Sequence, residues 1–207
     1  EFPNADNKPY KSSGGEMVYN EELDKNIPFG WKPGILKNII DIHDSRRIPL
    51  SKGEREKIKG IYPYYGAASL MDHINDYIFD GTYILLGEDG SVINNDRSPV
   101  LQYVWGKFWV NNHAHILSGK NNFSEELLYL TLKNSDVSSI ITGGVQVKIS
   151  QTNLNMLKTL IPSDEIIRKF NNTIIGLFKL IKNHSEENKK LNKLHNMILS
   201  KMTKVKV

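Results

Sequence analysis

The chain has 207 residues, of which 39% are hydrophobic and 24% are charged, proportions typical of a globular protein. Its 27 basic and 23 acidic residues give a net charge of +4, a mild bias toward polyanionic partners. Cysteine is absent, which excludes disulfides and thiolate metal sites and fits a reducing, cytoplasmic location. No run approaches the roughly 20 consecutive apolar residues of a membrane span, so we expect no membrane association.

The first 30 residues are polar and are interrupted by turn-forming residues, notably Ser12-Ser13-Gly14-Gly15. This composition predicts an irregular lead-in segment over residues 1–30 that lies on the surface of the following domain. Pro28, Phe29 and Gly30 come directly before Trp31, and they predict a turn that delivers this aromatic side chain into the domain.

Residues 31–162 carry short apolar runs separated by turn signals. Asp80-Gly81 stands between apolar runs at 77–79 and 83–86 and therefore predicts a hairpin turn. Gly106-Lys107 predicts a second hairpin in the same way, and residues 113–117 predict a further strand.

Helical signals are few in this region. Ser124 is a good N-cap, and the leucines that follow it have helical spacing, so a helix is predicted over residues 124–132. Val145, Val147 and Ile149 alternate with polar residues, which predicts a half-buried strand. We therefore expect residues 31–162 to form one α+β domain built on a mixed sheet, whose strand order the sequence does not give.

Residues 163–207 differ in kind. Ser163 and Asp164 offer an N-cap, and apolar side chains then recur every three or four residues, which predicts a coiled-coil helix of about 60 Å that needs a partner helix. The alternative is one long helix folded back on its own domain. The predicted coiled-coil residues are Ile167, Phe170, Ile174, Leu177, Ile181, Leu191, Ile198 and Met202, with the polar residues His184, Asn188 and His195 in the same phase.

Several segments, taken in order, resemble the specificity subunit of type I restriction-modification systems. No single motif is specific, but the ordered set covers nearly the whole chain. The resembling segments are the lead-in to Trp31, the run from Tyr62 to Ala67 (YPYYGA), the turn Gly87-Glu88-Asp89-Gly90-Ser91, the run from Asn112 to Leu117 (NHAHIL), Gly143-Gly144-Val145-Gln146, and Leu160-Ile161-Pro162.

The resemblance implies a division of labour in a restriction and methylation complex. Each target-recognition domain reads one half of a split duplex-DNA target, and two long helices pair antiparallel to set the distance between the halves. Methyltransferase subunits pack on the helices, and a restriction subunit joins them. The family usually has two such domains and two such helices, whereas this chain has one of each. The second half would come from homodimerisation or from a longer chain, and both alternatives stay open.

Three polar segments are candidates for contact with DNA. Arginine and lysine neutralise phosphates, whereas arginine, asparagine and glutamine can read base edges. We expect residues 44–59 to be a basic loop on the DNA face, and small residues at Gly143 and Gly144 to allow close approach. The candidate residues are Arg46, Arg47, Lys52, Arg55, Lys57 and Lys59 in the first segment, Asn94, Asn95 and Arg97 in the second, and Gln146 and Lys148 in the third.

A metal-dependent hydrolase or nuclease is the alternative function. His113 and His115 are two residues apart, so on a strand they face the same side, and Glu88 or Asp89 would complete a zinc site. A structural histidine pair beside the core explains the same spacing. The sequence has no glycine-rich phosphate loop and no methyltransferase signature. We therefore predict a non-catalytic subunit without a cofactor or a metal.

Overall fold

The computed structural model describes residues 2, 4 and 6–204, with the backbone alone at residue 204. This part of the chain contains ten strands and four α-helices, with three short 3-10 turns at 36–38, 44–46 and 138–140. The strands are β1 (Met17–Asn20), β2 (Lys25–Pro28), β3 (Lys32–Ile35), β4 (Ile40–Ile42), β5 (Lys59–Tyr65), β6 (Leu70–Ile74), β7 (Phe79–Gly87), β8 (Leu101–Val110), β9 (Ala114–Gly119) and β10 (Lys158–Ile161). The helices are α1 (Lys52–Lys57), α2 (Glu125–Lys133), α3 (Gln151–Asn155) and α4 (Asp164–Lys204).

Six of the strands form one mixed sheet in the order β4-β9-β7-β8-β5-β6. Every neighbouring pair is antiparallel except β5 and β8, which run parallel. The mixed α+β fold predicted from the sequence is confirmed. Two small antiparallel pairs, β1 with β2 and β3 with β10, lie outside this sheet.

The two hairpins predicted at Asp80-Gly81 and Gly106-Lys107 are wrong. Both dipeptides lie inside long strands, and Gly81 pairs directly with Gly106 across β7 and β8. Both glycines have positive φ angles, 140° and 79°, which side-chain-bearing residues rarely adopt. The two glycines therefore do mark a change in backbone direction. That change is a bend inside the paired strands β7 and β8, not a hairpin loop that ends a strand.

The bend folds the β7–β8 ribbon over. Gln102, at the start of β8, donates a hydrogen bond to the carbonyl oxygen of Gly66, and the amide of Asn111, just past its end, donates to Tyr65. A straight strand would hold Gln102 and Asn111 about 30 Å apart, whereas their partners Gly66 and Tyr65 are adjacent, so β8 must curl between them. A compact apolar core fills the fold, consisting of Phe79, Leu85, Val104, Phe108, Val110, Ala114 and Ile116.

Two more sequence predictions are corrected. Val145, Val147 and Ile149 do not form a strand, because the backbone turns at Gly143 and only isolated bridges join Lys148 to Thr142 and Asp89. Residues 44–59 are not a continuous loop, since Ser51 caps α1 and β5 begins at Lys59. The strand predicted at 113–117 is confirmed as β9, and the helix predicted at 124–132 is confirmed as α2, with Ser124 accepting a hydrogen bond from the Leu127 amide.

The lead-in segment is more ordered than its composition predicted. It contains the β1–β2 hairpin, and Ile27 of β2 is buried. The predicted turn before Trp31 is present, because the Trp31 amide donates to the carbonyl oxygen of Pro28. The Trp31 ring stacks on Phe2, which stacks on Tyr10 in turn. This aromatic stack holds Phe2 and Tyr10 against the lead-in turn.

The long C-terminal helix predicted from the sequence is confirmed as α4, whose 41 residues span about 60 Å. Its first half packs on the domain, and from residue 186 to residue 203 every side chain is exposed. The domain has a second and larger apolar core, the main core, which includes Leu36, Ile84, Leu117, Leu128 and Leu154. Ile167 is buried in the main core and Phe170 packs against it, so these two predicted coiled-coil residues contact their own domain instead. No helix in the described part of the chain is long and apolar enough to cross a membrane.

Candidate nucleic-acid interface

A buried network of charged and polar side chains lies where β7 and β9 meet the turn at 44–46. Arg47 donates to Glu88 at 2.5 Å and approaches Asp44 at 3.5 Å. It also donates to the carbonyl oxygens of Asn112 and Ala114. These contacts tie three separate chain segments to one guanidinium group.

His115 completes the network from β9. Its Nε2 lies 2.8 Å from the carbonyl oxygen of Ile149, and its Nδ1 lies 2.5 Å from a carboxylate oxygen of Asp44. The other oxygen of Asp44 accepts from the Ile116 amide at 2.9 Å, and Gln151 donates to the first at 2.6 Å. Because His115 is wholly buried, these contacts hold its ring in one orientation.

The network keeps both carboxyl groups ionised. Burial alone would raise the pKa of Asp44, but hydrogen bonding and charge from His115, the Ile116 amide and Arg47 outweigh it and lower that pKa. Burial would likewise raise the pKa of Glu88. Hydrogen bonds from Arg47 and Lys148 outweigh this effect, so the pKa of Glu88 is also lowered. Both groups are therefore carboxylates at neutral pH.

These residues do not favour a metal site. Asp44, Glu88 and His115 do offer three ligand atoms within 4.8 Å of one another. However, Asp44 and His115 are in direct contact at 2.5 Å, closer than two ligands about 2 Å from one ion would stand, and Arg47 already neutralises Glu88. His113 is not on the strand with His115, as the alternative required, but precedes it and faces Asp89 at 2.6 Å. The metal-dependent hydrolase is therefore not favoured.

Three exposed turns meet above the network, and we call them the loop face: residues 89–91, 112–113 and 142–148. The amide of Gly90 donates to the carbonyl oxygen of Val147, and the amide of Glu88 donates to that of His113. Lys148 also pairs with Glu88 at 3.0 Å. Gln146 and Lys148, both predicted to contact DNA, are exposed here, and Val145 at the tip is fully exposed.

The structure uses several of the predicted DNA-contacting cations internally. Arg47 belongs to the buried network, and Arg55 donates to the carbonyl oxygen of Leu50 at 2.7 Å while pairing with Asp72 at 3.3 Å. Hydrogen bonds from Lys59, the His73 amide and Arg55 lower the pKa of Asp72 to about 2. Arg47 and Arg55 therefore hold the fold together, and their positions do not support a role as DNA contacts.

The other candidates are exposed to different degrees. Arg46 lies over the Phe79 ring and donates to the carbonyl oxygen of Ile78, while Lys52 and Lys57 project from α1. Asn94 donates both of its side-chain hydrogen bonds to Ser98 and Pro99.

Asn95 and Arg97 are exposed on the same loop as Asn94, and Arg97 makes a surface ion pair with Asp136 at 3.4 Å. The exposed candidates thus lie on the loop face, on the 94–97 loop, on α1, on the turn at 44–46 with Arg46, and at the start of β5 with Lys59.

Helix α4 presents two faces. One face points toward the domain and carries Ile167, Ile174, Phe178 and Lys182. At 100° per residue, the centre of the other, exposed face lies roughly 110° around the helix axis from it. The exposed face contains five of the predicted coiled-coil residues with their exposed fractions: Leu177 52%, Ile181 53%, Leu191 61%, Ile198 49% and Met202 66%. A helix with two such faces packs on its own domain and still leaves an apolar stripe uncovered.

The internal partners were not found from the sequence. Asp44 lies 71 positions from His115, and no local sequence pattern links the two residues. Lys182 had a weak signal, since it follows Phe178 by four residues and shares its helix face. Glu126 and Tyr103 contact Lys182 in the structure, but no sequence pattern predicted either contact.

The fold is a mixed-sheet domain that carries a long helical arm, the architecture of a recognition domain with its spacer helix. Residues 28–196 match the family of type I restriction modification DNA specificity domains. This chain belongs to that family.

Similar proteins agree with the family match. The chain is 32% identical over 145 residues to a protein of Haemophilus influenzae named as a type I restriction enzyme specificity subunit, covering 70% of this chain and 36% of that protein. It is 27% identical over 218 residues to the type I restriction enzyme MjaIX specificity subunit of Methanocaldococcus jannaschii. This match covers 95% of this chain and 48% of that protein. The chain thus spans between a third and a half of the length of these relatives.

A solved structure supports the fold. The S subunit of a type I restriction-modification system from M. genitalium superposes with a TM-score of 0.59 over 79% of this chain and 44% of that one, at 16% identity. At that identity the likeness concerns the fold, which is the domain with its long helix.

Proposed function

We propose that this chain reads one half of a split duplex-DNA target as the recognition half of a type I specificity subunit. The observation that carries the proposal is the match of residues 28–196 to the DNA specificity domain family. The loop face supports it, because polar and cationic side chains project there from three turns that share one buried network. Such preorganised turns suit base reading, which depends on accurate side-chain placement.

The proposed reading surface is narrower than the sequence candidates. The side-chain amide of Gln146 is exposed and forms no hydrogen bond with the described residues, so it can offer both a donor and an acceptor to a base edge. Lys148 adds a cation beside it. Asn95 and Arg97 extend the surface along the 94–97 loop. Arg46, Lys52 and Lys57 remain candidates for phosphate contacts, which supply affinity without sequence information.

The exposed stripe of α4 is the proposed site of the second long helix. Leu177, Ile181, Leu191, Ile198 and Met202 would pack against that helix, with His184, Asn188 and His195 fixing the register. The partner helix would come from a second copy or from another part of a longer chain. Methyltransferase subunits would then pack on the paired helices and supply the chemistry, since we propose no catalytic role for this chain.

The proposal is tested by selection of binding sites from random duplexes, using the chain together with its methyltransferase subunit. We expect enrichment of one short sequence and an affinity that falls steeply with salt concentration. Absence of any enriched sequence would contradict the proposal.

A matched pair of variants localises the reading surface. Gln146→Ala should relax selection at one or two base pairs, at about 1–3 kcal/mol of discrimination. Asn172→Ala removes an exposed amide from α4 and should leave the selected sequence unchanged. Equal effects of the two variants would remove Gln146 from the reading surface.

A further inference from the structure

One polar contact joins α4 to the domain far along the helix. The Lys182 ammonium donates to the Thr82 hydroxyl at 2.9 Å and lies 3.9 Å from a carboxylate oxygen of Glu126. It also stands over the Tyr103 ring, 5.2 Å from its centre. The Tyr103 hydroxyl donates to the same Glu126 oxygen at 2.5 Å. We call Thr82, Tyr103, Glu126 and Lys182 the latch.

The latch is a partly buried site. The side chain of Lys182 is 25% exposed and that of Glu126 is 10% exposed, so water screens their attraction less than it does at the surface. Phe178 closes the side toward the start of the helix, with its ring centre 4.9 Å from that of Tyr103. Beyond the latch, Lys189 over the Trp105 ring is the last cation–ring contact of α4 among the described residues.

The positions of these contacts make α4 a lever. Ile167 anchors the helix in the core, Lys182 is 15 residues further on, and the described helix ends 37 residues beyond Ile167, at 204 (182 − 167 and 204 − 167). These lengths are about 22 Å and about 55 Å at 1.5 Å per residue. A 1 Å displacement at Lys182 therefore moves the far end by about 2.5 Å, which approaches the 3.4 Å rise of one DNA base pair.

The chemistry of the latch suits a fixed angle. Apolar contacts such as that of Phe178 tolerate small sliding, because dispersion and burial are not directional. The hydrogen bond from Lys182 to Thr82 weakens steeply when it is misaligned. The Glu126 carboxylate and the Tyr103 ring attract the same ammonium, so the three contacts together favour one position of Lys182. An ammonium that is mostly buried also loses much if it leaves its partners.

We propose that Lys182 and Glu126 are positioning residues that fix the angle between α4 and the reading domain, and that this angle sets the number of base pairs between the two half-targets. The inference rests on the proposed function for its consequence on DNA. The part of the inference that concerns the angle does not depend on the proposed function, because the angle is a property of this chain alone.

The angle is tested by distance measurement between two spin labels. The chain has no cysteine, so cysteines placed at the exposed positions Ser69 and Ser200 carry the only labels, and excess unlabelled chain restricts the signal to distances within one chain. Lys182→Met keeps the length of the side chain and removes its charge and donors. We expect its distance distribution to shift or broaden by several ångströms. Lys179→Met, an exposed lysine on the same helix, is the control and should match the parent.

The consequence is tested by selection of split duplexes of varied spacing, with the methyltransferase subunit present. Lys182→Met should select the same half-target with a spacing that is shifted or widened by about one base pair, whereas a merely structural role would lower stability without changing the spacing. Glu126→Gln, which keeps an acceptor for Tyr103, is a second variant should Lys182→Met fail to fold.

Unchanged distances and unchanged spacing in folded variants would overturn the proposal. If the parent chain selects no sequence, the proposed function and the spacing claim fail together, and the label distances still decide whether the latch fixes the angle.

Discussion

Single residues hold the loop face in place from below. Asp44 accepts hydrogen bonds from the Ile116 amide and Gln151 and contacts His115, so one carboxylate joins the turn at 44–46 to β9 and α3. The side chain of Asp44 is 2% exposed, and a charge at that depth must be paired. The exposed turns thus depend on residues that never reach the solvent.

Removal of the Asp44 charge is therefore expected to be costly. Asp44→Asn should lower the free energy of unfolding by about 3 kcal/mol, because it leaves buried partners without their counter-charge. Asp41→Asn is the matched control, since Asp41 is exposed and makes a surface pair with Lys120 at 3.7 Å, so its loss should change stability by about 0–1 kcal/mol. Urea denaturation of both variants measures the difference, and similar losses in the two would refute the structural role of the network.

The same network makes stability depend on pH. Asp44 and Glu88 have lowered pKa values in the folded state, so the unfolded chain binds protons first as the pH falls. Their contribution is fully present above the ordinary carboxyl range and is lost as the pH falls through the folded pKa values. We expect the free energy of unfolding to decline below about pH 5, and less steeply in Asp44→Asn. Parallel pH profiles of parent and variant would contradict this assignment.

At the scale of elements, a pair of glycines decides how the sheet closes. Gly81 and Gly106 face each other in the middle of the β7–β8 ribbon, and their positive φ angles allow it to fold over. The parallel pairing of β5 with the end of β8 follows from that fold, because it brings the end of β8 back across the sheet. A bend of this kind needs backbone freedom on both strands at once.

The cost of restricting that freedom can be measured. Nothing lies within 4 Å of a methyl group placed on Gly106, so Gly106→Ala tests the backbone alone and should destabilise by about 1–2 kcal/mol. Gly53 also has open space around it but sits in α1 with an ordinary φ, so Gly53→Ala should stabilise by about 0.5–1 kcal/mol. Thermal unfolding of the two variants gives the signs, and a neutral Gly106→Ala would count against the bend.

At the scale of the whole molecule, α4 joins two surfaces with different tasks. One face contacts the domain as far as Lys189, which stands over the Trp105 ring, and the other leaves an apolar stripe exposed along more than half of the helix. An exposed stripe of this length marks an interaction site in a protein of this size. We therefore expect the chain to associate through α4 in solution.

A charge within the stripe should break that association. Leu191→Glu places a carboxylate in the middle of the stripe, and we expect the weight-average mass in sedimentation equilibrium to fall to that of one chain. Ser200→Glu puts the same charge on an exposed position that points away from the stripe and should leave the mass unchanged. A parent chain that is monomeric at all concentrations would show that the stripe does not pair copies of this chain.

The sequence by itself determined the features that depend on near neighbours along the chain. The long helix follows from its repeat, the Ser124 cap from one hydroxyl, and the lead-in turn from Pro28 and Gly30. The family resemblance followed from short motifs in a fixed order along the chain. That order can be read without knowing any tertiary contact.

Only the tertiary structure decided the features that join distant segments. It placed Arg47 and Arg55 inside the protein, brought Asp44 to His115, and gave Ile167 and Phe170 to the domain core rather than to a partner helix. A pattern of residues records which side chains are charged or apolar. It does not record which of them meet, because pairing depends on the path of the backbone, here the fold of β8 at Gly106, and that path is set by the packing of the whole domain.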